Sequence, residues 1–135
     1  MKELIAYINS TVNNNFNNMS STFPMIPASM GVGFANGYVA VPKDHPFFGK
    51  DYDNVDVEVH GGLTFASPGN NITAADLPET EVLEGCLYDL DENWWVFGFD
   101  TCHYMDSLEN WPREAVVAET LSLKKQLEEA YEQAE

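Results

Sequence analysis

The chain has 135 residues, which fits a single domain covering residues 1–135. Hydrophobic residues make up 44% and aromatic residues 13% of the chain, which is too rich a composition for a disordered protein. Six Lys and Arg residues face 22 Asp and Glu residues, for a formal net charge of -16. The negative electrostatic potential of such a chain repels nucleic acid and anionic membranes and attracts cations and basic proteins. No apolar run has the length of a membrane span and no secretory leader pattern is present, so we expect a cytoplasmic protein.

The first section of the chain, residues 1–36, is predicted to contain a short helix and a long loop. Within residues 3–12, apolar side chains recur at helical spacing; they are Leu4, Ile5, Ile8 and Val12. The Asn-rich run from 13 to 18 is expected to end this helix, because Asn side chains compete with the helical backbone for hydrogen bonds. The prolines and glycines between 20 and 37 are typical of an extended loop.

The middle section, residues 37–106, is predicted to form a sheet. Apolar, β-branched and aromatic residues favour strands at 37–41, 55–60, 63–66, 85–90 and 93–99, with a loop at 67–81. In the second of these strands, Val55, Val57 and Val59 are expected to face the core and His60 the opposite side. No helical segment of a dozen residues separates consecutive strands, so we expect an antiparallel sheet.

The last section, residues 110–134, is predicted to be a helix, with Asn110 as its cap and Pro112 in its first turn. One apolar stripe runs along it at i+3/i+4 spacing; its members are Val116, Thr120, Leu123, Leu127 and Ala130. The whole chain is therefore expected to have an α+β fold, in which a small antiparallel sheet is flanked by an N-terminal helix and a longer C-terminal helix.

Three polar segments next to predicted loops contain the three histidines of the chain. In the first segment, residues 41–52, His45 precedes a proline, which favours an extended conformation at a turn. Lys50 and Tyr52 follow in the same segment. The imidazole of His45 is expected either to face a ligand or to form hydrogen bonds within the loop.

The second polar segment begins where the Val-rich strand is predicted to end. Gly61 and Gly62 follow His60 directly, and Thr64 comes shortly after them. Two glycines beside a histidine allow a ligand to approach the backbone closely. The same pattern also fits a β-bulge with a histidine at the surface, and the sequence leaves both interpretations open.

The third polar segment follows an aromatic strand and places Asp100, His103 and Asp106 at intervals of three. If the segment turns helically, these side chains share one face. A carboxylate beside an imidazole raises the pKa of the histidine and fixes its tautomer, as in a general base or a metal ligand. Alternatively, Asp100 caps the following turn and His103 bonds to it.

Several short runs succeed one another between about residue 37 and residue 127. They are 37–42, His45-Pro46, 49–52, 57–65, 95–106 and the closing Glu119, Leu123, Gln126 and Leu127. This succession resembles a family of small uncharacterised proteins found in bacteriophages and prophages. That family has no established activity, so the resemblance implies a setting rather than a mechanism. It implies expression in the cytoplasm of a bacterial host, as an accessory or counter-defence protein.

Our leading hypothesis is a protein that binds a small nucleotide-like molecule in a pocket of histidine, glycine and aromatic side chains. The candidate ligand-binding residues are His45, Lys50, Tyr52, His60, Gly61, Gly62, Thr64, Asp100, His103 and Asp106. No cofactor is predicted, and binding is favoured over catalysis. The acidic charge counts against an anionic ligand, so backbone N–H groups or lysines would have to offset it locally.

Two other hypotheses stay open. One is a metal-assisted hydrolase, for which the candidate metal ligands are His60, Asp100, His103 and Asp106. The other is an interaction protein whose acidic surface mimics nucleic acid and blocks a basic host protein. Neither involves direct contact with nucleic acid or membrane. The Trp94-Trp95 pair is compatible with a homo-oligomer interface as well as with a core.

Overall fold

A computed structural model describes residues 2–22, 32–71, 79–103 and 106–134 of the chain. Its regular elements are strands β1 (Ile5–Asn9), β2 (Asn36–Pro42), β3 (Phe65–Pro68), β4 (Thr80–Glu84) and β5 (Trp94–Phe99), and helices α1 (Thr11–Thr22) and α2 (Arg113–Gln133). The expected α+β fold class, with a short N-terminal and a longer C-terminal helix, is therefore confirmed. Neither described helix combines the length and the apolar character that a membrane span requires.

The five strands form one antiparallel sheet in the order β3-β5-β2-β1-β4. β2 lies at its centre, with Tyr38 opposite Tyr7 of β1 on one side and opposite Gly98 of β5 on the other. The rings of Tyr7 and Tyr38 stack with their centroids 5.1 Å apart. Every pairing is antiparallel, as expected. The expectation that no helical segment of a dozen residues separates consecutive strands is wrong, because the 12 residues of α1 lie between β1 and β2.

Helix α2 packs on one face of the sheet and completes the main core. The inner stripe of α2 consists of its buried residues, which are Val116, Thr120, Leu123, Lys124, Leu127 and Tyr131. Ala6 and Ile8 of β1, with Leu4 just before the strand, belong to this core, whereas Ile5 and Tyr7 belong to a second cluster with Ala40, Trp94 and Val96. This alternation is what the two-residue period of a strand dictates, and it shows that β1 has apolar contacts on both faces.

The N-terminal helix predicted over residues 3–12 is wrong in position. Residues 5–9 form β1, and the Asn-rich run expected to end a helix lies inside α1. The five residues of β1 are all buried, and its apolar side chains pack in the main core on one face and in the second cluster on the other. A strand buried on both faces reads as a continuous apolar run, which periodicity does not distinguish from a helix. The following helix begins where the Asn9 side chain accepts a hydrogen bond from the Thr11 N–H at 3.1 Å.

Two predicted strands are also wrong. Residues 55–59 form no strand, although the valines do face the main core as expected. The side-chain amide of Gln126 instead bonds both the N–H and the C=O of Glu58, each at 2.8 Å, and so takes the place of a neighbouring strand. Residues 87–89 form a 3-10 turn, and the strand lies earlier, at β4, whose first two residues fall in the predicted loop. By contrast, β2, β5 and α2 match their predictions closely, except that Pro112 rather than Asn110 occupies the N-cap position of α2.

Candidate functional site

Three of the predicted site residues converge just beyond the end of β5. We call His60, His103 and Asp106 the His–Asp cluster. His60 Nε2 lies 2.9 and 3.0 Å from the two carboxylate oxygens of Asp106. His103 Nδ1 lies 3.2 Å from Asp106 Oδ2, and the backbone N–H of His103 donates to the same oxygen at 2.9 Å. Two imidazoles from segments more than forty residues apart therefore face one carboxylate.

Asp106 is the buried centre of the cluster, with 4% of its surface exposed. Burial by itself raises the pKa of a carboxyl group, since the charged form loses its hydration. Here the hydrogen bonds from the His103 backbone and from the His60 and His103 side chains outweigh burial, so the pKa of Asp106 lies below its usual value. Asp106 is therefore an ionised carboxylate at neutral pH.

The His60 ring is fixed by an aromatic partner. Its centroid lies 4.1 Å from that of Trp111, with the two planes tilted by 37°. The His103 ring lies 5.2 Å from the His60 ring and nearly perpendicular to it, at 88°. The side chains of His60 and His103 keep 25% and 35% exposure, so the cluster opens to solvent on their side. Trp111 was not among the predicted site residues, because nothing in its spacing relates it to His60.

The two glycines that follow His60 both have a backbone conformation that favours glycine. Both have positive φ, +71° at Gly61 and +77° at Gly62, a conformation that costs other residues free energy. A β-carbon at Gly61 would overlap the imidazole of His103. The close approach that Gly61 permits is therefore made by a side chain of the protein itself.

A buried polar scaffold holds the start of the 100–106 segment. The Asn13 amide donates to the Gly33 carbonyl at 3.0 Å and to Thr101 Oγ1 at 3.1 Å, and the Thr101 hydroxyl donates to the Ala35 carbonyl at 2.7 Å. Asn13 and Thr101 are both fully buried. Neither was predicted, since the Asn-rich run indicated only a break in a helix. These bonds fix the backbone from which Asp100 and His103 project.

Asp100 lies beside the cluster rather than within it. Its Oδ1 is 3.4 Å from His103 Nδ1 and accepts the Cys102 N–H at 3.0 Å. The predicted capping role of Asp100 and its predicted proximity to His103 are thus both present. Burial, together with the carboxylates of Asp100 and Asp106, raises the pKa of the Cys102 thiol to about 11. The thiol is protonated at neutral pH and is a weak nucleophile.

His45 belongs to the core rather than to the cluster. Its Nε2 lies 2.8 Å from the Leu127 carbonyl, and its Nδ1 accepts the Phe47 N–H at 3.0 Å. This pattern requires the neutral tautomer with the proton on Nε2. Burial holds the pKa of His45 below its usual value, although the Leu127 carbonyl and the Asp44 charge act in the opposite direction. Both ring nitrogens of His45 therefore form hydrogen bonds within the protein, one inside its own loop and one to α2.

The remaining candidates are at the surface. Lys50 and Tyr52 are exposed, and the Lys50 ammonium lies 5.3 Å from the centroid of the Phe47 ring. The Lys50 carbonyl accepts the Trp95 indole N–H at 2.8 Å. Thr64 has an exposed side chain, and its N–H bonds the Gly98 carbonyl at 2.9 Å. Of the ten predicted ligand-binding residues, the structure thus brings together His60, Gly61, Asp100, His103 and Asp106.

The geometry of the His–Asp cluster fits a metal ion. One ligand atom from each of its three residues lies within 4.8 Å of the other two. Metal–ligand bonds of about 2.0–2.2 Å place neighbouring ligand atoms roughly 3–3.5 Å apart. The nitrogen–oxygen distances of 2.9 and 3.2 Å in the cluster are close to that separation. Two imidazoles with one carboxylate form a donor set typical of zinc and of other first-row transition metals.

Comparison of the chain with protein-family models, with curated proteins and with solved structures found no match.

Proposed function

We propose that this protein binds a divalent transition-metal ion, of the zinc type, at the His–Asp cluster, and uses that ion to hold the phosphate group of a small nucleotide-like ligand. The observation that carries the proposal is the convergence of one ligand atom from each of His60, His103 and Asp106 within 4.8 Å of one another. Imidazole nitrogens favour zinc, copper, nickel or iron over magnesium or calcium, which prefer oxygen ligands.

Hydrogen bonding alone explains the cluster less completely. The Asp106 carboxylate already accepts the backbone N–H of His103 and bonds His60 with both oxygens. The second imidazole nitrogen, from His103, points at the same place from a side chain that keeps 35% exposure. A solvated imidazole gains little from a further bond to an already satisfied carboxylate. As a third ligand of a metal ion, it would gain a strong partner.

A bound metal ion would also offset the repulsion between the acidic protein and an anionic ligand. The chain has a net charge of -16, which repels phosphate at long range. A divalent ion held by one carboxylate and two neutral imidazoles leaves a local charge of about +1 and open coordination positions. Binding a nucleotide-like compound in this way fits an accessory or counter-defence role in a phage-infected cell, the setting that the resemblance implies.

Metal-assisted hydrolysis of the same ligand is the second candidate. The observation that favours it is Asp100, whose carboxylate lies 3.4 Å from His103 Nδ1 and whose side chain is 31% exposed. A carboxylate next to a metal site can accept a proton from metal-bound water, which is the usual nucleophile in such reactions. In this version Asp100 is the general base, and His60, His103 and Asp106 are the ligands.

The first experiment measures metal binding directly. Isothermal titration of the wild-type protein with Zn²⁺, Mn²⁺ and Mg²⁺ at pH 7.5 is expected to give one tight site for Zn²⁺ and weak binding of Mg²⁺. Asp106→Asn is expected to weaken Zn²⁺ binding by at least about 100-fold, because residues that merely orient metal ligands already cost 10–100-fold. Glu109→Gln removes an exposed carboxylate outside the cluster and is the matched control.

A spectrum of the wild-type protein with Co²⁺ avoids any doubt about the folding of a variant. Visible absorption bands of a low-coordinate Co²⁺ site with nitrogen and oxygen ligands are expected, and they should vanish on addition of Zn²⁺. If the wild-type protein gives no such bands, and Zn²⁺ binds Asp106→Asn as tightly as it binds the wild type, the metal proposal is wrong.

The second experiment identifies the ligand. Thermal melts are recorded with nucleotides, cyclic nucleotides and ADP-ribose derivatives, each with and without Zn²⁺. A compound present at about 100 times its Kd adds about 2.7 kcal/mol to the free energy of unfolding. A metal-dependent shift with the compound recovered intact supports binding, whereas an altered compound supports the hydrolase. No shift with any compound would favour the acidic surface and a basic protein partner.

A further inference from the structure

Two adjoining clefts lie where the chain enters β1, and they are independent of the His–Asp cluster. The larger has a volume of about 470 Å³ and is lined in part by Lys2, Glu3, Asp89 and Trp94. The smaller has a volume of about 270 Å³ and shares Lys2 and Glu3 with the larger. The larger volume is within the range of about 300–1,000 Å³ that small-molecule sites occupy.

The larger cleft already contains an ammonium group. Lys2 Nζ lies 5.8 Å from the centroid of the Trp94 ring. A cation within about 6 Å of an indole face is attracted by the negative charge density of the ring. Lys2 and Glu3 are exposed and lead into β1.

The charges around the two clefts favour a ligand with more than one positive group. Among the described residues that line them, the acidic side chains are Glu3, Asp89, Glu128 and Glu132, and the basic one is Lys2. Glu128 is in part neutralised by Lys124, whose Nζ lies 3.6 Å away. The net charge of -16 further concentrates cations at the surface.

We infer that these clefts bind a linear aliphatic polyamine. One ammonium group of the ligand replaces that of Lys2 against Trp94, and the methylene chain lies along the apolar wall that Ile5 contributes. The remaining ammonium groups face the carboxylates of Glu3, Asp89 and Glu132. A hydrated metal ion fits this site less well, because the indole ring offers it no lone-pair ligand.

The test measures the binding of spermidine at 0.15 M salt, where screening suppresses attraction beyond about 8 Å. Titration calorimetry is expected to give one site in the wild type. Lys2→Met is expected to tighten binding at least threefold, because it removes the competing ammonium. Lys50→Met is the matched control, since it removes the same charge and another ammonium near an aromatic ring, that of Phe47. It is expected to leave the affinity within a factor of two.

Neutralising the carboxylates that line the clefts is expected to have the opposite effect on spermidine binding. The double variant Asp89→Asn/Glu132→Gln is expected to weaken spermidine binding at least fivefold. Its control is Asp53→Asn/Glu109→Gln, which removes the same charge at exposed positions outside the lining of the clefts. The control is expected to change the affinity less than twofold. All four positions are exposed, so the variants are expected to fold.

A chemical probe reports the place of binding without a change in charge. Cys86 is exposed and lines the larger cleft. In a Cys102→Ser background, spermidine is expected to slow the alkylation of Cys86 by iodoacetamide. The proposal is overturned if Lys2→Met and Lys50→Met change the affinity for spermidine equally. It is also overturned if the two double carboxylate variants weaken spermidine binding equally, or if spermidine leaves the alkylation rate of Cys86 unchanged.

Discussion

The imidazole of His103 lies directly against the α-carbon of Gly61, in the space that a side chain at position 61 would fill. Gly62, the next residue, has almost the same backbone conformation, but, its chain neighbours aside, no atom of the described residues lies within 4 Å of a β-carbon built on it. The two glycines therefore separate two effects that usually occur together. At Gly62 a substitution strains the backbone, whereas at Gly61 it both strains the backbone and displaces His103.

Gly61→Ala and Gly62→Ala are expected to differ in metal binding far more than in stability. Each places alanine at positive φ, which costs about 1–2 kcal/mol in the free energy of unfolding. Only Gly61→Ala moves His103 away from Asp106, so only this variant is expected to weaken Zn²⁺ binding, by at least tenfold. Urea unfolding and titration calorimetry measure the two quantities. Equal Zn²⁺ affinities in two folded variants would contradict the assignment of His103 as a ligand.

Asp106 is expected to make the protein sensitive to acid. The pKa of Asp106 in the folded state lies below the value of about 3.9 that an unfolded aspartate has. Its stabilisation is therefore present above about pH 4 and is lost as the pH falls through the folded-state pKa. At pH 7, Asp106→Asn is expected to cost about 1.5–3 kcal/mol, the range for hydrogen bonds to a charged group.

The measurement is urea unfolding of both proteins, without metal, at several pH values from 7 to 3. The difference in free energy of unfolding is expected to shrink below pH 4, because the unfolded wild-type chain takes up a proton there while Asp106 in the folded protein stays charged down to its lower pKa. The exposed control Glu109→Gln is expected to stay close to the wild type throughout. A difference that stays constant down to pH 3 would show that the carboxylate charge has no part in the stability.

The fold was predictable where one local pattern matched one structural role. The C-terminal stripe from Val116 to Leu127 is buried as predicted, because a helix on a sheet needs an apolar face of that spacing. Strand β1 was not recognised, since its burial on both faces removes the alternation that distinguishes a strand. The Val55–Val59 segment shows the opposite case, in which alternation in burial is real but Gln126 replaces a neighbouring strand.

The candidate site was predictable in its chemistry and not in its assembly. The spacing of Asp100, His103 and Asp106 correctly indicated contacts within one turn. The arrival of His60 depends on tertiary packing against Trp111, for which no local signal exists. His45 looked equivalent to the other two histidines in sequence, and only its bonds to Leu127 and Phe47 reveal its structural role.

His45 is expected to lower the stability of the protein in mildly acidic solution. The pKa of His45 in the folded state lies below the unfolded value of about 6.5, mainly because it is buried. As the pH falls below 6.5, the unfolded chain takes up the proton first, so stability is lost until the pH reaches the folded-state pKa. The groups that face the ring are the Leu127 carbonyl, Asp44 and Tyr131.

His45→Leu removes this titration and leaves the Phe47 N–H and the Leu127 carbonyl without their partner. It is expected to cost about 1–3 kcal/mol at pH 8, the penalty for buried groups that lose a hydrogen bond. The cost should narrow between pH 7 and pH 5, because only the wild type loses stability through His45 there. Guanidinium unfolding at each pH provides the measurement. A cost that widens on acidification would show that His45 is charged in the folded protein.

Lys124 lies in the buried stripe of α2 with its ammonium 2.6 Å from Glu84. Burial lowers the pKa of Lys124, but Glu84 and Glu128 outweigh that effect, so its pKa lies above the usual value and the group is charged. The Lys124 side chain is only 6% exposed, whereas the side chains of Glu84 and Glu128 are 42% and 45% exposed. The desolvated partner of this ion pair is therefore the lysine.

Removing Lys124 and removing the carboxylate charge of Glu84 are expected to lower the free energy of unfolding by different amounts. Lys124→Met keeps the apolar stem and leaves carboxylates that water solvates, so the free energy of unfolding should change by no more than about 0.5 kcal/mol. Glu84→Gln leaves a buried ammonium with the more distant Glu128, at an expected cost of about 1 kcal/mol after allowance for solvent screening. In the double variant this cost should vanish, because no buried charge remains. Urea unfolding of the wild type, the two single variants and the double variant completes this double-mutant cycle. A Lys124→Met variant less stable than Glu84→Gln would contradict the expected asymmetry.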